Sequence, residues 1–148
     1  MTSEADLQVQ VADYIRLQYP SVMLHSDFGS GIKLTMGQAI KQKRQNGGRR
    51  AWPDMFIAEP REVVVEQKPV MITGVLCQQD ITEHRCGLFI ELKRPGTRIF
   101  KKDGTLVADE HIREQFDVLE QLRKRGYMAE FACGFDEAKK IIDEYLSK

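Results

Sequence analysis

Two short stretches carry charges where a strand should be apolar. In "GLFIELKRPG", residues 87–96, an apolar run ends in Glu91 and Lys93 with only Leu92 between them. Side chains two apart on a strand point to the same side of the sheet, so Glu91 and Lys93 share one face while Leu92 turns into the core. Either charge buried alone would cost on the order of several kcal/mol, so the simplest reading of the stretch by itself is an ion pair. A second stretch, "WPDMFIAE", sets Asp54 at the start of another apolar strand. If the two strands pair, the Asp54 and Glu91 carboxylates meet at one point beside Lys93. Two carboxylates plus water suit a hard divalent cation such as Mg2+ or Mn2+. Such an ion polarises a phosphoryl oxygen and helps generate hydroxide, and the lysine would orient the water or stabilise charge developing on the phosphate.

The surrounding charge favours a polyanion. Net charge is zero, yet residues 28–53 contain Lys33, Lys41, Lys43, Arg44, Arg49 and Arg50 and no Asp or Glu. A cationic block without acids is a phosphate-contact candidate, with a solvated helix face as the plainer alternative. Lys93, Arg94, Arg98, Lys101 and Lys102 form a second basic run. Trp52 either stacks on a base or packs beneath the basic helix. His25, His84 and His111 are too scattered to argue for a general base. Cys77, His84 and Cys86 match no standard metal spacing, and three cysteines without a CxxC pair indicate neither a disulfide framework nor a zinc knuckle.

These groups need a frame. At 148 residues the chain fits one domain, 1–148, and a domain of this size buries roughly two-thirds of its unfolded surface. A composition of 42% hydrophobic and 30% charged residues argues against wholesale disorder. "SEADLQVQVADYIRLQYP" reads as an amphipathic helix behind a Ser3 cap, and "VMLHS" as a short strand. The loop "DFGSGIKL" has two glycines that permit a close turn or a lid. "TMGQAIKQKRQNGG" is an exposed helix between Thr35 and the Gly47–Gly48 stop. Two β-rich pieces, "EVVVEQ" and "VMITGVLC", suggest an inserted hairpin at about 61–85. "RIFKKDGTLVA" contains a Lys-Asp-Gly turn. A helix from about Asp109 to Lys124, a strand in "YMAEFACGF" and a terminal helix with Asp136 at or near its N-cap complete the order. The strand-helix-strand step over 87–133 predicts a right-handed parallel crossover, hence an α/β fold. No apolar run reaches the ~20 residues of a membrane span, and the N-terminus lacks a secretory pattern, so no membrane partner and a cytoplasmic location are expected.

The order "PD", Pro53 and Asp54, then "ELK", Glu91 to Lys93, resembles the PD-(D/E)xK nuclease superfamily. More narrowly, "GGRRAWPD", "GLFIELKRPG" and "EQFDVLEQLRKRGYMAEFACGFDEAKKIIDEYL" look like the small phage and bacterial VRR-NUC nucleases. The hairpin is not part of that pattern, the Val-Arg-Arg run is absent after "ELK", and Thr97 stands where many relatives carry an acid. The resemblance implies a restriction-endonuclease-like core, a mixed central sheet flanked by helices. It implies Asp54, Glu91 and the Leu92 carbonyl as ligands of Mg2+ or Mn2+, with no organic cofactor, and Lys93 as the catalytic lysine. Gln115 matches a glutamine beside the site, and Glu4 and Gln8 match an "ExxxQ" whose acid completes the metal shell. Without the resemblance, Gln115 reads as a surface amide and Glu4 as a favourable first-turn charge. The implied activity is a DNA endonuclease selective for branched or junction DNA, with Lys33, Lys41, Lys43, Arg44, Arg49, Arg50, Arg94 and Arg98 on the nucleic acid. It would be a homodimer, in the host cytoplasm if phage-encoded. The alternatives are a nucleic-acid-binding module that does not cut and a phage accessory protein.

Overall fold

Ser3 opens the first helix with a capping box: its hydroxyl accepts the Asp6 N–H at 3.0 Å, and the Asp6 carboxylate accepts the Ser3 N–H at 3.1 Å. In the computed structural model, which describes residues 3–27 and 33–147, this helix is α1, Glu4–Gln18. It is followed by β1 (Leu24–Ser26), α2 (Met36–Gln45), β2 (Met55–Ile57), β3 (Arg61–Ile72), β4 (Val75–Arg85), β5 (Leu88–Lys93), α3 (Glu110–Lys124), β6 (Met128–Cys133) and α4 (Phe135–Leu146). The Gly29 and Gly31 loop lies outside the described residues.

The central sheet has strand order β1-β2-β5-β6. β1 and β2 pair antiparallel, β2 and β5 pair antiparallel, and β5 and β6 pair parallel across α3. This is the mixed α/β sheet the sequence implies, with the parallel step where the strand-helix-strand pattern places it. Alternation along β5 divides the two faces. Leu88, Ile90 and Leu92 join Leu7, Val11 and Ile15 of α1 and Ala138, Ile142 and Tyr145 of α4 in one core. Phe89 faces Val118, Leu119 and Leu122 of α3 on the other side. Glu91 and Lys93 continue the Phe89 face.

Three local expectations need correction. "VMITGVLC" is not one strand: the hairpin turns inside it at Thr73 and Gly74, φ 48° and 83°, closed by the Ile72–Val75 pair. Positive φ at both central residues matches the twist of a two-residue hairpin turn, and the surrounding β-branched residues hid it. The cap of α4 is Gly134, not Asp136, which lies in the first turn. At φ 93° this position suits glycine, and a Cβ would approach Pro95 Cγ to 3.1 Å. Gln115 is not a surface amide: it is buried.

β3 and β4 form a separate two-stranded sheet over residues 61–85, with a bulge at Val65. Val63 packs against the core, and Tyr145 donates to the Glu59 carbonyl at 2.5 Å, so the arm is anchored at its root. Its tip exposes Met71, Ile72, Val75 and Leu76.

Candidate active site

The β2–β5 register sets the chemistry. Met55 pairs with Ile90, so the next step outward brings Asp54 level with Glu91. Asp54 Oδ2 accepts the Leu92 N–H at 2.8 Å, fixing one carboxylate to the strand that carries the other. Below them Phe56 stacks on Phe89 with centroids 4.3 Å apart, and Tyr127 meets both rings edge-on. The charged end of the sheet therefore rests on a packed aromatic floor.

Lys93 Nζ donates to Glu91 Oε1 at 2.9 Å, the ion pair its spacing predicts. Gln115 Nε2, from α3, donates to the same oxygen. Glu91, Lys93 and Gln115 are all buried. Among the described residues Glu91 Oε2 and Gln115 Oε1 are buried without a hydrogen-bond partner, an expensive arrangement for a finished structural cluster.

From the other side, Gln8 Nε2 donates to Ser26 Oγ at 2.6 Å, to the Asp27 carbonyl at 2.8 Å and to the Asp54 carbonyl at 3.2 Å. The Asp27 N–H also donates to the Asp54 carbonyl, at 2.8 Å. Gln8 thus ties α1 and the end of β1 to the backbone of Asp54.

Burial, and then the Asp54 charge, push the Glu91 carboxyl up to about 8; Lys93 offsets only part of this. Burial raises Asp54 as well, against the lowering effect of the Leu92 N–H and Lys93. Glu4 raises both groups through its charge, so it lies within electrostatic reach of the pair. Among the described residues no three His, Cys, Asp or Glu side chains are grouped to enclose a metal ion. What converges is two carboxylates on paired strands, with Glu4 within electrostatic reach of both.

A cleft of about 500 Å³ opens over these groups, with Asp54, Glu91 and Gln115 at its base. Lys43, Arg49 and Arg50 line it, as does Asn46. α2 and the segment that follows it form this wall, and α2 buries none of its own residues. Trp52 packs under its C-terminal end, 6.2 Å from Phe89, and donates to the Asn46 carbonyl at 3.5 Å. Lys41 and Arg44 flank a separate groove on α2, and Lys33, Arg94 and Arg98 are exposed outside the cleft lining.

Asp27 and His111 also line the cleft. Asp27 carries no signal in the sequence, because nothing there says that β1 pairs with β2. His111 lies one turn before Gln115, and that spacing was the available signal.

No protein-family model matches the chain, and no curated protein matches it. Among solved structures, a "VRR_NUC domain protein" superposes with a TM-score of 0.61 at 22% identity, over 99% of this chain and 89% of that one. The chain shares that protein's fold. The VRR_NUC-type fold thus accounts for the four-stranded mixed sheet with helices on both sides. No described helix is long and apolar enough to cross a membrane.

Proposed function

We propose that this protein is a metal-dependent endonuclease that hydrolyses DNA phosphodiesters with Mg2+ or Mn2+ and prefers branched or junction DNA. The observation that carries the reading is Asp54 level with Glu91, with Lys93 bonded to Glu91, at the base of a cleft walled by Lys43, Arg49 and Arg50. The VRR_NUC-type fold supports it.

The donor set fits a hard cation. It is all oxygen, Glu91 Oε2 lacks a partner among the described residues, and two raised carboxyl groups lie within electrostatic reach of each other and of one ammonium. Asp54, Glu91 and the Leu92 carbonyl would hold the ion, with Glu4 directly or through water; Mg2+ usually retains several waters. When bound, the ion supplies Lewis-acid polarisation and a more acidic water.

The remaining roles belong to the chain. Lys93, aligned by Glu91, orients the attacking water or stabilises charge on the phosphate. Gln115 holds the Glu91 carboxylate in place. Lys43, Arg49 and Arg50 grip the backbone near the cut, while Lys33, Lys41, Arg44, Arg94 and Arg98 would touch flanking phosphates. A homodimer would let each protomer cut one strand, in the DNA processing of a phage or bacterium. A module that binds without cutting would have no need for Asp54, Glu91 and Lys93 together.

The test is incubation with labelled single-stranded, duplex, flap and four-way-junction DNA, with Mg2+, Mn2+ or EDTA, beside Lys93→Ala. Metal-dependent cleavage lost in the variant is expected. No cleavage of any substrate, or equal cleavage by the variant, sinks the proposal.

A further inference from the structure

Beside the cleft, and sharing Arg49 and Trp52 with it, lies a small recess completed by Val118, Gln121, Leu122 and Arg125. Its volume is about 80 Å³, on the order of three water volumes. That is room for the edge of one flat ring, the rest of which stays outside against Trp52, and too little for a stacked pair. Val118 and Leu122 are buried and give an apolar floor. Trp52 forms a wall and stays 37% exposed, although Phe89 and the Asn46 carbonyl hold the indole in place. Arg125 is steadied at the rim by its Nη1 donating to the Gln121 carbonyl at 2.9 Å. Among the described residues no acid lines the recess.

A fixed aromatic ring, an apolar floor, a side-chain amide and two guanidinium groups form a combination suited to an unpaired nucleotide. The ring stacks on the base, the amide can meet its edge, and the cations can take adjoining phosphates. We propose that this recess receives the edge of one unstacked nucleobase of the substrate strand, whose face lies on the exposed Trp52 ring, so that cleavage requires an unpaired nucleotide beside the cut. The inference rests on the nuclease reading for the ligand of the main cleft. Trp52 and Asp54 are two residues apart, at most about 7 Å along the chain. With about 3.4 Å of rise per stacked nucleotide, the base in the recess belongs to a nucleotide roughly within two steps of the phosphate over Asp54. A base inside a duplex would first have to leave its stack, which favours flaps, junctions and single strands.

Trp52 is the single tryptophan of the chain, so its fluorescence reports on the recess without catalysis. The protein is titrated in EDTA with a short oligothymidylate and with the same strand carrying one abasic position. The intact strand should quench Trp52 and bind at least about 5-fold more tightly than the abasic one, the lower end of a stacking contribution. Arg125→Ala should weaken binding of the intact strand. In parallel, an abasic scan of a flap substrate with Mg2+ should find one position within two nucleotides of the cut where base removal slows cleavage at least about 5-fold. Trp52→Phe should keep that dependence and Trp52→Leu lose it. Equal quenching and affinity for the two strands overturns the proposal, and so does a flat scan in a wild type that cleaves. If the wild type cleaves nothing, the nuclease reading falls and the titration alone decides the recess.

Discussion

Glu91 receives Lys93 and Gln115 on one oxygen and leaves the other buried without a partner among the described residues. That asymmetry separates it from a finished ion pair and yields two predictions. Lys93→Met, which keeps much of the stem's packing, should lower cleavage by about 10²-fold or more if the ammonium stabilises the transition state. Single-turnover rates on a flap or junction check this, with DNA affinity in EDTA serving as the control for folding. The second prediction concerns pH. A carboxyl raised from 4.5 to about 8 binds its proton more tightly in the folded chain. Its contribution to stability is therefore complete below about 4.5 and lost as pH rises through about 8. The metal-free protein should melt progressively lower across that window, and saturating Mg2+ should flatten the dependence by favouring the charged carboxylate; melting curves at graded pH with EDTA or Mg2+ decide it. The Glu-x-Lys pairing was legible because strand alternation is a local rule. The burial of Gln115 was not, because it depends on α3 crossing the polar end of β5.

At the scale of elements, the site depends on how closely β2 lies against β5. Gly87 precedes β5, and a Cβ there would sit 2.7 Å from Phe56 Cε2 and 2.8 Å from the Ile57 carbonyl oxygen. Gly87→Ala should cost about 1–3 kcal/mol and lower cleavage by displacing Asp54 from Glu91; a thermal melt paired with an activity assay would show both effects, and loss of neither would rule out the tight fit. The basic segment supplies a contrast, since Arg50 lines the cleft and Lys41 lies outside it. Arg50→Ala should reduce the slope of log affinity against log salt by about 0.7–0.9, one phosphate contact, whereas Lys41→Ala should change it less. An unchanged slope for Arg50→Ala would mean that the cleft wall is not the DNA track. The Thr35 cap and the Gly47–Gly48 stop of α2 were readable from local chemistry, but which of its cations face the carboxylates was not.

Over the whole molecule, the sheet of β1, β2, β5 and β6 carries the site, while the β3–β4 arm stands apart beyond its root at Val63 and Tyr145. Replacing residues 66–81 by a two-residue turn should leave the melting temperature of the core within a few degrees, because the excised part includes none of the buried core; differential scanning calorimetry measures it, and a collapse of the transition would show that the arm is structural. The sequence by itself determined the Ser3 and Thr35 helix caps, the strand alternation and the pairing of Glu91 with Lys93, all consequences of backbone geometry over a few residues. Only the tertiary structure decided that Asp54 stands level with Glu91, that Gln8 and Asp27 hold the Asp54 backbone, and that Trp52 and Arg125 enclose a recess. Those groups lie far apart in the chain, and their meeting depends on sheet order and helix packing, which no local spacing encodes.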